Sequence, residues 1–200
     1  MTRNVDSMFP EERIDEYSKR ILEEKGKGAH TYDHTKRVLS ICMEIGANMG
    51  ANKRVLGAAA LLHDIGRPFE KERGRSHSIL SGEMSKEFLK EIGYSDSEIE
   101  QVINAIRTHR FSEGLEPTSL EGIILSDVDK LEAIGAIGIF RAVAQATVSG
   151  KGISGFLDHA EEKLLKLRDS LHTEQAKSIA KERHYLLEIF VNNLRGEMMF

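Results

Sequence analysis

The sequence predicts an all-α protein, a compact helical bundle in a single domain. Three observations predict it. Proline occurs only at positions 10, 68 and 117 of 200 residues, so few segments are barred from helix. Alanine, leucine, glutamate and lysine, all good helix formers, recur throughout. Period-2 alternation longer than four residues is scarce, which leaves little material for strands.

The elements follow in order. "DSMFPEERIDEYSKRILEE" places Phe9, Ile14, Tyr17, Ile21 and Leu22 at helical spacing, with Pro10, Glu11 and Glu12 as a start signal. "KGKG" at 25–28 ends it. "YDHTKRVLSICMEIGANMG" resumes, with Val38, Ile41, Cys42 and Ile45 on one face. "NKRVLGAAALLHDIG" is the third helix, closed by Gly66 and Pro68. Residues 67–76 form a charged loop, either a flap over the site or a surface segment. "SHSILSGEMSKEFLKEIG" and "SDSEIEQVINAIRTHR" are the next two helices. The second opens on Ser95, or Ser97, ahead of Glu98 as a capping pair. "SLEGIILSDVDKLEAIGAIGIFRAVAQA" is expected as one long helix rich in small residues. A Gly-rich loop at 149–155 precedes two last helices, roughly 156–171 and 173–195.

Composition bounds the function. The chain is 40% hydrophobic and 30% charged, a globular balance, and its net charge of -4 offers no nucleic-acid footprint. A single cysteine, Cys42, excludes an internal disulfide framework. No signal peptide is evident, and no apolar stretch reaches the roughly 18 to 20 residues that span a bilayer. The expectation is a soluble cytoplasmic protein without a membrane partner, with a homodimer admitted. P-loop, dinucleotide-binding and nucleophile-elbow motifs are absent.

Against this background, histidines and aspartates interrupt apolar faces. His34 lies four residues before Val38 and seven before Ile41, on the stripe of its helix. His63 lies four after Ala59 and seven after Leu56, and Asp64 stands one step round, about 100° away. A lone histidine on such a face is ordinarily a core residue. Two inward histidines beside a carboxylate, which is costly to bury alone, point instead to a shared metal ion. Asp127 and Asp129 both interrupt the later helix. The stripe of Ile124, Leu131 and Ile134 runs nearer Asp127, whereas Asp129 shares a face with Leu125, Ala133, Ala136 and Phe140. Periodicity mildly favours Asp127.

The order His34, then "HD" at 63–64, then a distant aspartate in "VDKL" resembles the HD-domain superfamily of metal-dependent phosphohydrolases. "AHTYDHTKRV", "ALLHDIG", "IRTHRF", "DVDKLEAIGAIGIFR" and "EEKLLKLRDSL" resemble its subfamily of small single-domain hydrolases, over about residues 29–197. The resemblance implies one HD-type domain over 1–200, with a core motif region at about 29–145 and C-terminal helices at about 156–195 packed on it. It implies His34, His63, Asp64 and Asp129 as metal ligands, overriding the periodicity that leans to Asp127. Val128 stands where the family often has alanine, a conservative departure. Asp127 then sits behind the ligands, meets substrate, or is structural.

Further residues carry weaker signals. His77 and His109 line a pocket, contact phosphate or hold a second ion in relatives; alternatively they are polar surface residues. Lys130 adjoins Asp129, and Arg67 adjoins the "HDIG" turn. Either can hold a phosphate oxygen, although a solvated charge is the simpler reading for Arg67. His30 lies one turn before His34, in its helix's first turn or orienting substrate, and His159, His172 and His184 are surface or packing residues. Two imidazoles with two carboxylates suit one divalent manganese, iron, cobalt, nickel or zinc ion, with a second ion as an alternative. Such an ion acidifies water and polarises a phosphoryl group. Asp64 or Asp129 orients the water, while His77, His109 and Lys130 stabilise charge or protonate the leaving oxygen. The expected substrate is a phosphate ester or anhydride of a small, nucleotide-like metabolite. The alternatives are a non-catalytic nucleotide-binding module that keeps its metal, a helical interaction protein without one, and a di-metal oxygenase.

Overall fold

The computed structural model describes residues 10–25 and 31–199, so His30 and Phe9 lie outside the described residues. The described secondary structure is helical, with no strand among these residues. The α-helices are α1 (Pro10–Lys25), α2 (Tyr32–Met49), α3 (Lys53–Leu62), the one-turn α4 (Glu70–Arg73), α5 (His77–Glu91), α6 (Asp96–Thr108), α7 (Leu120–Glu132), α8 (Gly135–Val148), α9 (Gly152–Glu162) and α10 (Glu174–Glu197). No described helix is long and apolar enough to cross a membrane. The chain divides into two compact units, one through Ser126 and the other from Asp127, with the boundary inside α7.

In the first unit α3 is central, with α1, α2, α5 and α6 packed against it. It can be surrounded because its residues are small: Ala58, Ala59 and Ala60 are buried beside Val55, Leu56, Leu61 and Leu62. Asn52 starts α3 by accepting the backbone N–H groups of Arg54 and Val55, and its own N–H donates to Glu121 Oε1 at 2.8 Å. The approach of α2 to α3 is close at Gly46, where a Cβ would lie 2.5 Å from Leu56 Cδ2. His34, Thr35, Val38, Cys42, Ile45 and Gly46 are the buried face of α2, which places His34 on the apolar stripe as its spacing predicts. Ser95, not Ser97, caps α6, in a reciprocal capping box with Glu98.

Two expectations are corrected. The charged stretch 67–76 is not plain loop: Arg67–Phe69 form a 3₁₀ turn that runs into α4. The long helix expected across residues 119–146 is two helices. It breaks at Ile134, and Gly135 adopts φ +76, a left-handed conformation that α-helix cannot continue through. Arg183 packs against this point: a Cβ on Gly135 would lie 2.9 Å from Arg183 Cγ, and Arg183 Nη1 donates to Leu131 O at 2.7 Å. Those carbonyl and glycine partners hold the break where the apolar pattern runs on.

In the second unit α8, α9, the 3₁₀ segment Leu164–Ser170 and α10 pack together. Phe156, Ala160, Leu164, Leu167, Ala176, Ala180, Leu187 and Val191 are buried, as is His184. Asp127 ties the start of α10 by accepting the N–H groups of His172 at 2.9 Å and Thr173 at 2.7 Å. Thr173 in turn caps α10 through Ala176 N. Lys130 Nζ donates to Ser170 O at 2.8 Å.

Substituting Gly46→Val should lower the unfolding free energy by about 1–3 kcal/mol, because the added carbons must displace Leu56 in a closely packed contact. Urea unfolding measures it. Stability at or above that of the parent would contradict the close α2–α3 approach.

Candidate metal centre

Three polar groups of the centre stand where helices stop or start. His63 and His109 directly follow the last residues of α3 and α6, and His77 is the first residue of α5. His34, by contrast, lies within α2. His34, His63, His77 and His109 have 0% exposure and Asp64 has 1%. The rings form a succession: His34 to His63 at 5.4 Å between centroids, His63 to His109 at 5.1 Å, and His109 to His77 at 5.4 Å.

The tautomers of two rings are fixed by the helices that carry them. His63 Nδ1 lies 2.8 Å from Ala60 O, and His109 Nδ1 lies 2.6 Å from Ile106 O. A carbonyl oxygen only accepts, so both Nδ1 atoms carry the proton and both Nε2 atoms present a lone pair. Histidine ligands are held in this manner, with the far nitrogen donating to a carbonyl or carboxylate.

Asp64 faces this array. Its Oδ2 lies 3.9 Å from His34 Nε2 and 3.7 Å from His63 Nε2, and its Oδ1 lies 3.4 Å from His77 Nε2. Arg67 Nε lies 3.1 Å from each oxygen of the same carboxylate. Donors bonded to one ion at about 2.1 Å lie about 3 Å apart at right angles and about 4.2 Å apart when opposite. The Asp64 distances to His34 and His63 fall within that range. His63, Asp64 and His109 also bring ligand atoms within 4.8 Å of one another. By spacing and by tautomer, this donor set fits a divalent ion of the nitrogen-and-oxygen class.

Gly66 makes the arrangement possible. The "HDIG" turn lies so close to the start of α5 that a Cβ at residue 66 would fall 2.6 Å from Ser81 N and 2.7 Å from His77 O. Gly66 N donates to Ser81 Oγ at 2.9 Å. The glycine is needed here for space, and it sets Asp64 beside His77.

Burial holds the His77 imidazole below its usual range, and the Arg67 and Arg110 charges push the same way against Asp64 and Glu70. Burial alone would raise Glu70, but the hydrogen-bonded His77 and the Arg110 guanidinium outweigh it and keep that carboxyl low. The sequence offered no signal for Glu70, Arg110, Glu113, Ser76 and Ser78 as a group. Arg110 Nη1 donates to Glu70 Oε1 at 2.8 Å, and Ser78 Oγ lies 2.9 and 2.8 Å from the Glu113 oxygens.

The structure thus brings together His34, His63, Asp64, His77, His109 and Arg67. Asp129 and Lys130 lie on α7 past Ser126, in the second unit; Asp129 is half-buried and Lys130 is buried against Ser170 O.

Residues 31–134 match the HD domain family. The chain belongs to that family. It is 31% identical to YpgQ of Bacillus subtilis over 94% of this chain and 93% of YpgQ. The crystal structure of YpgQ in complex with ADP superposes with a TM-score of 0.75 at 26% identity, covering 94% of this chain and 97% of that one. A predicted HD superfamily hydrolase from an uncultured Thermotogales bacterium matches with a TM-score of 0.69 at 29% identity, covering 96% of this chain and 95% of that one.

Gly66→Ala should abolish stoichiometric metal binding while far-UV circular dichroism stays helical, because backbone atoms, which cannot swing aside, meet the new carbon. Elemental analysis of the purified variant measures it, and an unchanged metal content would contradict the role given to this turn.

Proposed function

We propose that this HD domain is a metal-dependent phosphohydrolase that cleaves a phosphate ester or anhydride of a small, nucleotide-like compound, all within one domain. The observation that carries the reading is the convergence on Asp64 of buried histidines, two of whose neighbours in the array, His63 and His109, have their Nε2 lone pairs set by helix carbonyls. In this proposal His34, His63, Asp64 and Asp129 hold one divalent ion. Asp129 enters on the order of the family motif and on the occupation of Asp127, whose carboxylate caps the segment before α10.

A divalent ion at such a site supplies an acidified water and a polarised phosphoryl group. The protein's own groups do the rest. Asp64 or Asp129 orients the attacking water, and His77 and His109 flank it. Lys130 supplies positive charge and steadies the chain around Asp129 through Ser170 O. The burial of the array keeps bulk water from the charges, which strengthens each interaction.

YpgQ with bound ADP supports a nucleotide-like substrate. The same complex suits a module that holds a nucleotide without turnover, and catalysis separates the two. A screen of phosphorylated metabolites with manganese, iron, cobalt, nickel and zinc should find turnover with the wild type and none with Asp64→Ala, whose helix content persists. Retained turnover in metal-free Asp64→Ala would overturn the mechanism, and nucleotide binding without turnover in any metal would favour the module.

The assignment of Asp129 has its own check. Asp129→Asn replaces a charged ligand by a neutral amide and should lower metal content well below one ion per chain. Asp127→Asn should leave it near normal, because Asp127 engages the backbone N–H groups of His172 and Thr173 rather than the ion. A metal-replete Asp129→Asn beside a metal-poor Asp127→Asn would reverse the assignment.

A further inference from the structure

His77 has a polar partner at each ring nitrogen. Its Nδ1 and its backbone N–H both lie 3.3 Å from Glu70 Oε1. Its Nε2 lies 3.1 Å from Arg67 Nη2. A guanidinium has only donors and an ionised carboxylate only acceptors. Arg67 therefore requires a lone pair at Nε2, and Glu70 requires a proton at Nδ1. One tautomer meets both demands, and it is the one that His63 and His109 also adopt. Asp64 Oδ1, at 3.4 Å from Nε2, is the more distant neighbour and is itself bound by Arg67.

Glu70 is held for this task from outside the turn. Arg110 Nη1 donates to Glu70 Oε1 at 2.8 Å and to Ser76 Oγ at 3.1 Å, and it lies 3.4 Å from Glu113 Oε1. Glu113 accepts from both Ser76 and Ser78, so the start of α5 and the segment after α6 grip the same guanidinium. A connected series of opposite partners runs from Glu113 through Arg110, Glu70, His77 and Arg67 to Asp64. At its inner end Arg67 uses Nε on Asp64 and Nη2 on His77, and no described residue accepts from Nη1.

We propose that Glu70 is a positioning residue. By accepting the Nδ1 proton of His77 it turns the Nε2 lone pair to Arg67, and so fixes that guanidinium between Asp64 and His77 with its Nη1 donors left for a phosphoryl oxygen of the substrate. The second half of this inference rests on the phosphohydrolase reading; the first half does not. Rotating His77 or moving its proton would cost Arg67 an acceptor, and a phosphate-binding donor would lose its orientation. Glu70→Gln keeps an oxygen that can accept from Nδ1, whereas Glu70→Ala keeps none.

The test uses the 200-residue chain, labelled with ¹⁵N, in buffer containing zinc, whose diamagnetism keeps spectra sharp. Long-range proton–nitrogen spectra report the tautomer of each imidazole, and a His77→Gln spectrum identifies the His77 signals. The wild type and Glu70→Gln should show His77 protonated at Nδ1. Glu70→Ala should show a mixture or the opposite tautomer. With a substrate that the wild type turns over, Glu70→Ala should raise KM about tenfold, with a smaller change in kcat, and Glu70→Gln should stay within about threefold. His77 protonated at Nε2 in the wild type overturns the proposal, and so does an unchanged tautomer in Glu70→Ala. Should Glu70→Ala fail to fold, the wild-type tautomer still decides. Should the wild type turn over nothing, the hydrolase reading fails while the tautomer result stands on its own.

Discussion

A carboxylate with 1% exposure is the constraint on which the first unit depends. Left alone in apolar surroundings, the Asp64 charge would cost several kcal/mol. The chain surrounds it with groups of complementary chemistry: imidazole nitrogens from three segments and the Arg67 guanidinium. Removing any one leaves a buried charge less well satisfied, so these residues act as a unit. Their individual effects should not add, as is usual for groups that share one network.

The helices answer this constraint through their ends. An α-helix leaves its last carbonyls without intrahelical partners. Here two of those ends place a histidine directly after the helix, and the ring turns back onto a carbonyl one turn earlier. A backbone need is met, and the same contact fixes which nitrogen of each ring carries the proton. Alanines in α3 and the glycines at 46 and 66 let the neighbouring elements approach closely enough for the rings to meet. Small residues in this unit thus position large polar ones.

Much of this was legible in the sequence where burial is periodic. His34, His63 and Asp64 interrupt apolar stripes, and an interruption at the right step is visible without a structure. The start of α6 was legible too, since Ser95 and Glu98 are local. The break between α7 and α8 was not: the run of small and apolar residues continues across it, and the left-handed Gly135 depends on Arg183, 48 residues on by their numbers. Nor was the part played by Asp127. Face counting found it pointing inward and suggested a ligand, but its acceptors' partners are backbone N–H groups at 172 and 173. Glu70 and Arg110 escaped because the single helical turns they start are too short to show a period. Their pairing is a fact of three dimensions.

The central proposal is that imidazole nitrogens and carboxylate oxygens here hold a divalent ion. X-ray absorption at the metal edge of the purified, metal-loaded protein tests it most directly. The account predicts only nitrogen and oxygen neighbours at about 2.0 to 2.3 Å, with the outer-shell scattering of at least two imidazole rings. A first shell without imidazole, or one containing sulfur from the buried Cys42, would contradict it.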